Sequence, residues 1–310
     1  MERPTVTSPA AQAAVGADDA ISLHRVVRTQ GTFTLGPLDM HVPAGLVTGF
    51  VGPNGAGKTT TIKAMLGMTS IDSGSIRVLG NATGACHERI GVVLDALALS
   101  TEWTADSAAR TLARFYPTWD QPYYESLLRR MDVPTHTKVR NLSRGQGVKL
   151  QLALALAHRP ELLILDEPTS GLDPVARLDV LDVFREYLVD EGRTILFSTH
   201  ITSDLERIAD HLHIIGAGRT CFEGSMVDFE EGFVIARGPL SLLDGPSRAA
   251  LIGMREHSGS FEGLVRVGDT AVFGPQVVIE TAQLDEAVAS FIRDDGRPRT
   301  DISTSTTKEH

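Results

Sequence analysis

Eight residues constrain this chain more than any others: Gly52-Pro-Asn-Gly-Ala-Gly-Lys-Thr59 fits the pattern G-x-x-x-x-G-K-[ST] at every required position. Ahead of it, residues 46–51 (Leu-Val-Thr-Gly-Phe-Val) are a short apolar run rich in β-formers, and behind it residues 58–66 alternate as a helix does. Strand, glycine loop and helix stand in the order that a phosphate-binding loop requires.

Each residue type has its own reason to be there. Gly52, Gly55 and Gly57 let the backbone wrap closely and turn its N–H groups inward, and the new helix adds its positive end. Pro53, Asn54, Ala56 and Thr60 complete the binding segment. The expected guest is a nucleoside triphosphate. Lys58 reaches the β- and γ-phosphates as a mobile point charge, and the Thr59 hydroxyl takes one position on a Mg²⁺ ion that bridges them.

A chain of 310 residues has room for one large α/β domain and a smaller appendage. Its formal charge of −10 argues against a broad nucleic-acid surface, because phosphate neutralisation by Lys and Arg dominates such binding. Cys86 and Cys221 lie far apart and suggest buried inert thiols in a reducing compartment. No apolar run approaches the roughly 18 residues that cross a bilayer. Residues 1–20 lack the apolar segment of a secretory signal and read as a disordered leader, and residues 294–310 as a disordered tail.

Along the chain, the runs at 21–27 and 33–40 predict an antiparallel hairpin. The unbroken apolar run at 89–94 predicts a central strand, buried on both faces. Residues 104–131 turn helical, interrupted at Pro117 and Asp120, and 148–157 predict a buried helix that Ser143 can cap. Residues 161–167 form another buried strand, followed by a helix starting at Asp173-Pro174 whose inner face should carry Val175, Leu178, Leu181, Phe184 and Leu188. A strand at 193–200 ends in His200. The expected architecture is an α/β sandwich of P-loop NTPase type: a mainly parallel sheet with an N-terminal antiparallel β region over 21–224, including a helical subdomain at about 96–158, then a small α/β appendage at 225–293. In the appendage, strands are expected at 233–236, 263–267, 271–273 and 277–280, and helices at 240–251 and 284–292.

A phosphate loop of this kind needs an acid at the end of a distant strand to hold the metal, and Asp166 fills that place. Glu167, one residue beyond the strand, can turn toward an attacking water and is the candidate general base. His200 ends a strand expected to lie near Asp166, where its imidazole can stabilise charge on the γ-phosphate.

Five segments taken together resemble the nucleotide-binding subunit of an ABC transporter: 52–59 its phosphate loop, Leu142-Ser-Arg-Gly-Gln146 its signature, 162–167 its metal strand with the added glutamate, Ser170-Gly-Leu-Asp173 its dimer loop, and His200 its switch histidine. The resemblance covers about 21–224, and is strongest to single-cassette subunits of bacterial exporters, including those of antibiotic resistance and acetoin utilisation. It implies ATP and Mg²⁺ as ligands, hydrolysis coupled to transport, and a second ATPase subunit, identical or related, whose Ser143, Gly145 and Gln146 would face this chain's phosphate loop. It also implies a separate integral-membrane permease, and a place in the cytoplasm at the inner face of the cell membrane. Trp103, Phe115, Tyr116 and Trp119 either receive a permease helix or pack inside the helical subdomain.

Three positions depart from the family pattern. Arg144 stands where a second glycine is common. Asp95 occupies the place of a metal-sensing glutamine, and remains able to bind Mg²⁺. The adenine-stacking aromatic should fall near Gln30, which leaves Phe33 as the nearest candidate. Two other functions stand beside transport: a soluble ATPase of this family acting on ribosomes or chromosomes, and a gating subunit that senses ATP with little turnover.

Overall fold

The computed structural model describes residues 19–85, 87–95 and 99–294. The hairpin is there: β1 (Asp19–Gln30) and β2 (Phe33–Pro43) pair antiparallel around a turn at Gly31, whose φ of 60° suits glycine. Strand β1 begins at Asp19 and buries Ala20, so the first strand takes two residues from the expected leader; residues 1–18, and the expected tail beyond Asp294, lie outside the described residues. Then come β3 (Val47–Val51), α1 (Lys58–Met65), β4 (Ser73–Val78), the short β5 (Asn81–Ala82) and β6 (Ile90–Val93).

The helical segment holds α2 (Ala105–Leu112), capped by Thr104, and α3 (Gln121–Arg130), capped by Asp120. Tyr116 stacks on His158 at 4.1 Å, Trp119 lies 5.5 Å from Tyr124, and Trp103 packs on the core; of the four aromatics only Phe115, 72 % exposed, faces outward. Helix α4 (Arg144–Leu156) is buried as its Leu and Ala content predicts, and leads to β7 (Leu162–Asp166).

Helix α5 (Pro174–Tyr187) keeps part of the expected inner face: Leu181 and Phe184 are buried and Leu188 packs on the core, joined by Ala176, Val180, Val183 and Tyr187, while Val175 is 69 % exposed and Leu178 also faces out. Phase is set at both ends, by the Asp173 carboxylate accepting from the Val175 and Ala176 N–H groups and by the Tyr187 hydroxyl donating to the Pro160 carbonyl at 3.1 Å. Strand β8 (Thr194–Thr199), α6 (Thr202–Ile208), β9 (His211–Gly216) and β10 (Arg219–Ser225) follow.

The central sheet runs β10-β9-β3-β8-β7-β6, parallel throughout except for β10. The run at 89–94 is therefore an edge strand and not a central one. Its apolar content has another cause: α4 and Pro160 cover it so closely that a Cβ on Gly91 would meet the Ala155 carbonyl at 2.8 Å. A second sheet, β2-β1-β4-β5, is antiparallel.

Beyond β10, α7 (Met226–Gly232), β11 (Phe233–Pro239), α8 (Gly245–Ala250), β12 (Ile252–His257), β13 (Ser260–Arg266), β14 (Val278–Thr281) and α9 (Leu284–Arg293) follow, with the antiparallel sheet β12-β13-β11-β14. Two local expectations fail there. Residues 271–273 leave a 3₁₀ turn and form no strand, and β12, an edge strand reading Ile-Gly-Met-Arg-Glu-His, carries too little apolar alternation to be seen. The helix expected over 240–251 shrinks to α8, where Asp244 caps and Pro246 lies in the first turn.

Residues 225–293 share one core with the central sheet, because Phe222 of β10 meets Phe229, Phe233 and Phe291 at centroid distances of 5.9, 5.6 and 6.1 Å. Cys221, half-buried beside this joint, has its thiol pushed up by burial, and Cys86 lies outside the described residues. Truncating Phe291 to Ala should cost about 3 kcal/mol and move a single unfolding transition of the whole chain to lower denaturant. An early, separate transition for the C-terminal unit in a urea titration followed by circular dichroism would contradict this.

Candidate nucleotide site

Strand β3 is buried at all five residues and hydrogen-bonded on both sides, to β8 and β9, so its last residue is fixed in space. The glycine loop leaves from there. A Cβ on Gly52 would stand 2.3 Å from the Ile215 carbonyl oxygen, so nothing larger fits without moving the strand. Gly55 and Gly57 have φ of 82° and 111°, and the Ala56 N–H donates to the Pro53 carbonyl at 3.1 Å. Helix α1 then starts with no side-chain cap, which leaves its first N–H groups turned toward the loop.

Lys58 is buried, and its Nζ donates to the Gly52 and Pro53 carbonyls at 2.7 and 3.3 Å. The Thr59 hydroxyl donates to Oδ2 of Asp166 at 2.7 Å, and the Ser198 hydroxyl to Oδ1 at 3.1 Å. Burial pushes the Asp166 carboxyl above its ordinary range in spite of those two hydroxyls, so its ionised form is held at a cost.

Glu167 sits just past β7 with φ of 53°, a left-handed conformation that costs a residue with a side chain about 1–3 kcal/mol. Its N–H donates to the Ser198 carbonyl at 2.9 Å, which pins the bend. The bend sends Oε1 to within 3.2 Å of Lys58 Nζ and Oε2 to within 2.8 Å of His200 Nδ1; the His200 N–H also donates to Oε2, at 3.4 Å. One carboxylate thus joins the lysine of the loop to the histidine at the end of β8.

Of these groups Lys58, Thr59 and Glu167 border a cavity of about 350 Å³, lined also by Phe33, Pro53, Asn54, Gly55, Gly57 and Thr60; Asp166, Ser198 and His200 are not in its lining and reach it through Thr59 and Glu167. Phe33, the expected stand-in for an aromatic near Gln30, is in that wall. Ser143, Gly145 and Gln146 are not: Ser143 caps α4 with its oxygen accepting the Gln146 N–H at 3.2 Å, while Gln146 Oε1 accepts the Ser143 N–H at 3.0 Å. Asp95 is also outside the group, its carboxylate paired with Arg144 at 2.9 Å. The role of Ser198 was not anticipated from sequence; its signal is a polar residue that follows the apolar run Ile195-Leu-Phe197 and lies level with Asp166.

A glycine loop between a buried parallel strand and a helix, with its threonine hydroxyl bonded to the aspartate of a second strand, defines a P-loop nucleoside triphosphatase. Residues 35–170 match the family model described as ABC transporter. The Nod factor export ATP-binding protein I of Cupriavidus metallidurans is 35 % identical over 207 residues, which is 63 % of this chain and 68 % of that protein. A solved ATP-binding subunit of an ABC transporter superposes with a TM-score of 0.61 at 26 % identity, over 68 % of this chain and 92 % of its own. A dimeric cassette solved in a post-hydrolysis state with ADP and Pi shares the fold, with a TM-score of 0.59 at 19 % identity over 66 % of this chain and 98 % of its own. The chain belongs to the ABC transporter family, as one of its ATP-binding, ATP-hydrolysing subunits.

Substitution of the loop glycines should separate crowding from backbone strain. Gly52→Ala forces the loop off β9 and should lower affinity for a fluorescent ATP analogue more than tenfold. Gly55→Ala meets no atom within 4 Å and should cost only about 1 kcal/mol of stability, for its positive φ. Equal affinities for the two variants would contradict this account of the loop.

Proposed function

We propose that two copies of this chain, or one copy and a close relative, clasp ATP between the loop of one and the Ser143–Gln146 segment of the other, and so drive a separate membrane permease outward from the cytoplasmic face. The observation that carries the reading is the position of Glu167 between Lys58 and His200. Lys58 without phosphate is neutralised by Glu167. A triphosphate offers Lys58 stronger partners, so Glu167 is released to turn and take a proton from an attacking water, and the His200 ring, no longer held by that carboxylate, donates to the γ-phosphate.

The oxygens present suit Mg²⁺. Asp166 is a buried carboxylate whose charge is poorly compensated, and the Thr59 hydroxyl is bonded to it; these two would hold the ion. When bound there, the ion would supply neutralisation of phosphate charge. Asp95, engaged with Arg144, is not needed in that set.

Three further points support a shared site serving a permease. The signature segment does not line its own chain's cavity, so a second chain is needed to cover the phosphates. Among the described residues no helix is long and apolar enough to cross a membrane. Relatives such as the Cupriavidus metallidurans protein are named for export, which favours the outward direction. Phe33 lines the cavity, which supports it as the aromatic that packs on adenine.

Two measurements test this. Glu167→Gln should lower turnover by about 10²–10⁴-fold, and with ATP and Mg²⁺ should accumulate as a dimer in light scattering. A monomeric variant with unchanged turnover would overturn the reading. Phe33→Ala should weaken ATP binding roughly three- to tenfold and Phe33→Trp should restore it; indifference to both would remove Phe33 from the base-binding wall.

A further inference from the structure

Two cross-links join the loops that leave β7 and β8. The inner one is the Glu167–His200 contact at 2.8 Å, at the mouth of the site. The outer one lies deeper: the Thr169 hydroxyl donates to Oδ2 of Asp204 at 2.7 Å, with Thr169 0 % and Asp204 2 % exposed. Thr169 follows Glu167 by two residues, and Asp204, in the first turn of α6, follows His200 by four. A third element joins them, since Nη1 of Arg177 in α5 stands 3.9 Å from Oδ1 of Asp204, and Nε of the same guanidinium is buried without a hydrogen-bond partner.

From this arrangement we infer that Thr169 and Asp204 are positioning residues for hydrolysis: their bond sets the separation of the two loops so that the Glu167 carboxylate and the His200 ring meet across the γ-phosphate position. The proposal rests on the roles given above to Glu167 and His200. Its physical grounds are that a buried carboxylate is costly, and that a close-packed apolar pair would hold two loops together at least as well. What a hydroxyl–carboxylate bond adds is a fixed distance and direction. The inner contact cannot serve that purpose. His200 is partly exposed, and its partner must turn toward water and phosphate during each cycle, whereas the outer bond is sealed from solvent and can persist. The loop between them is short and already turned, with the Ser170 N–H donating to the Glu167 carbonyl at 3.1 Å and the Leu172 N–H to the Thr169 carbonyl at 3.2 Å, so a shift at Thr169 is passed to Glu167 with little slack. Displacement of a reacting group by about 1 Å costs on the order of a hundredfold in rate.

The test compares Thr169→Val, which keeps shape and removes the hydroxyl, with Thr169→Ser, which keeps the hydroxyl, and with Asp204→Asn, in the full chain. Steady-state ATPase assays with Mg²⁺ should show kcat lowered about ten- to a hundredfold in Thr169→Val and Asp204→Asn, with KM for ATP within about threefold of wild type, and kcat restored to within about threefold by Thr169→Ser. Wild-type kcat in Thr169→Val would overturn the proposal. So would parallel loss of kcat and of ATP affinity in both defective variants, which is the mark of a pair that only holds the fold. Glu167→Gln is assayed alongside. If it is inactive while Thr169→Val is normal, the positioning role alone falls; if Glu167→Gln turns over normally, the assignment of the base falls and the positioning role with it.

Discussion

The registered adjacency of β3, β8 and β7 is the constraint on which the site depends. Val51 lies level with Thr199, and Asp166 with Ser198, so three parallel strands finish at one edge within a residue of one another. Parallel pairing makes that possible, because every strand then releases its following loop on the same side. The glycine loop, Glu167 and His200 come from separate parts of the chain and meet only because of that shared edge. Strand β8 in the middle is buried at all six residues, and gives the edge a core on both faces.

Electrostatics at this edge is left unfinished by the chain. One buried lysine faces two carboxylates, one of them disfavoured by burial and the other bent into a left-handed backbone conformation to reach it. Glu167 Oε1 has an ionic neighbour but no hydrogen-bond donor. Such arrangements are less stable than apolar packing would be in the same place, and are found where a ligand completes them. An ATP-hydrolysing subunit needs this imbalance, since a site already satisfied without nucleotide would have no free energy to release on binding it.

Much of this was legible from residues alone. Gly52 to Thr59, Asp166, Glu167 and His200 could be placed from sequence because each belongs to a short segment whose chemistry is local: a turn that needs glycine, or a strand that ends in acids. What could not be read depended on tertiary partners. The phase of α5 is decided by Tyr187 reaching Pro160, far back in the chain, and so Val175 and Leu178 face out where helical periodicity put them in. The run at 89–94 looks central because α4 covers it, although it pairs on one side only. The partners of Ser198 and Asp204 could not be read from sequence, since Asp166 and Thr169 reach them only through the strand and loop that fold against them.

The two departures near the signature are physically one feature. Arg144 is the first residue of α4, where a cation opposes the positive end of the helix by about 0.3–1 kcal/mol. Asp95 stands 2.9 Å from it and offsets that repulsion. The guanidinium lies across Gly171, where a Cβ would fall 3.2 Å from Nε, so a side chain there would press on the arginine as well as strain a backbone at φ of 73°. Arginine in place of glycine thus draws in a carboxylate on one side and needs a bare backbone on the other. The Ser143 oxygen meanwhile accepts the Gln146 N–H within the capping box, and Gln146 Oε1 accepts the Ser143 N–H. The start of α4 is therefore closed by its own capping box while Asp95 holds the added positive charge beside it.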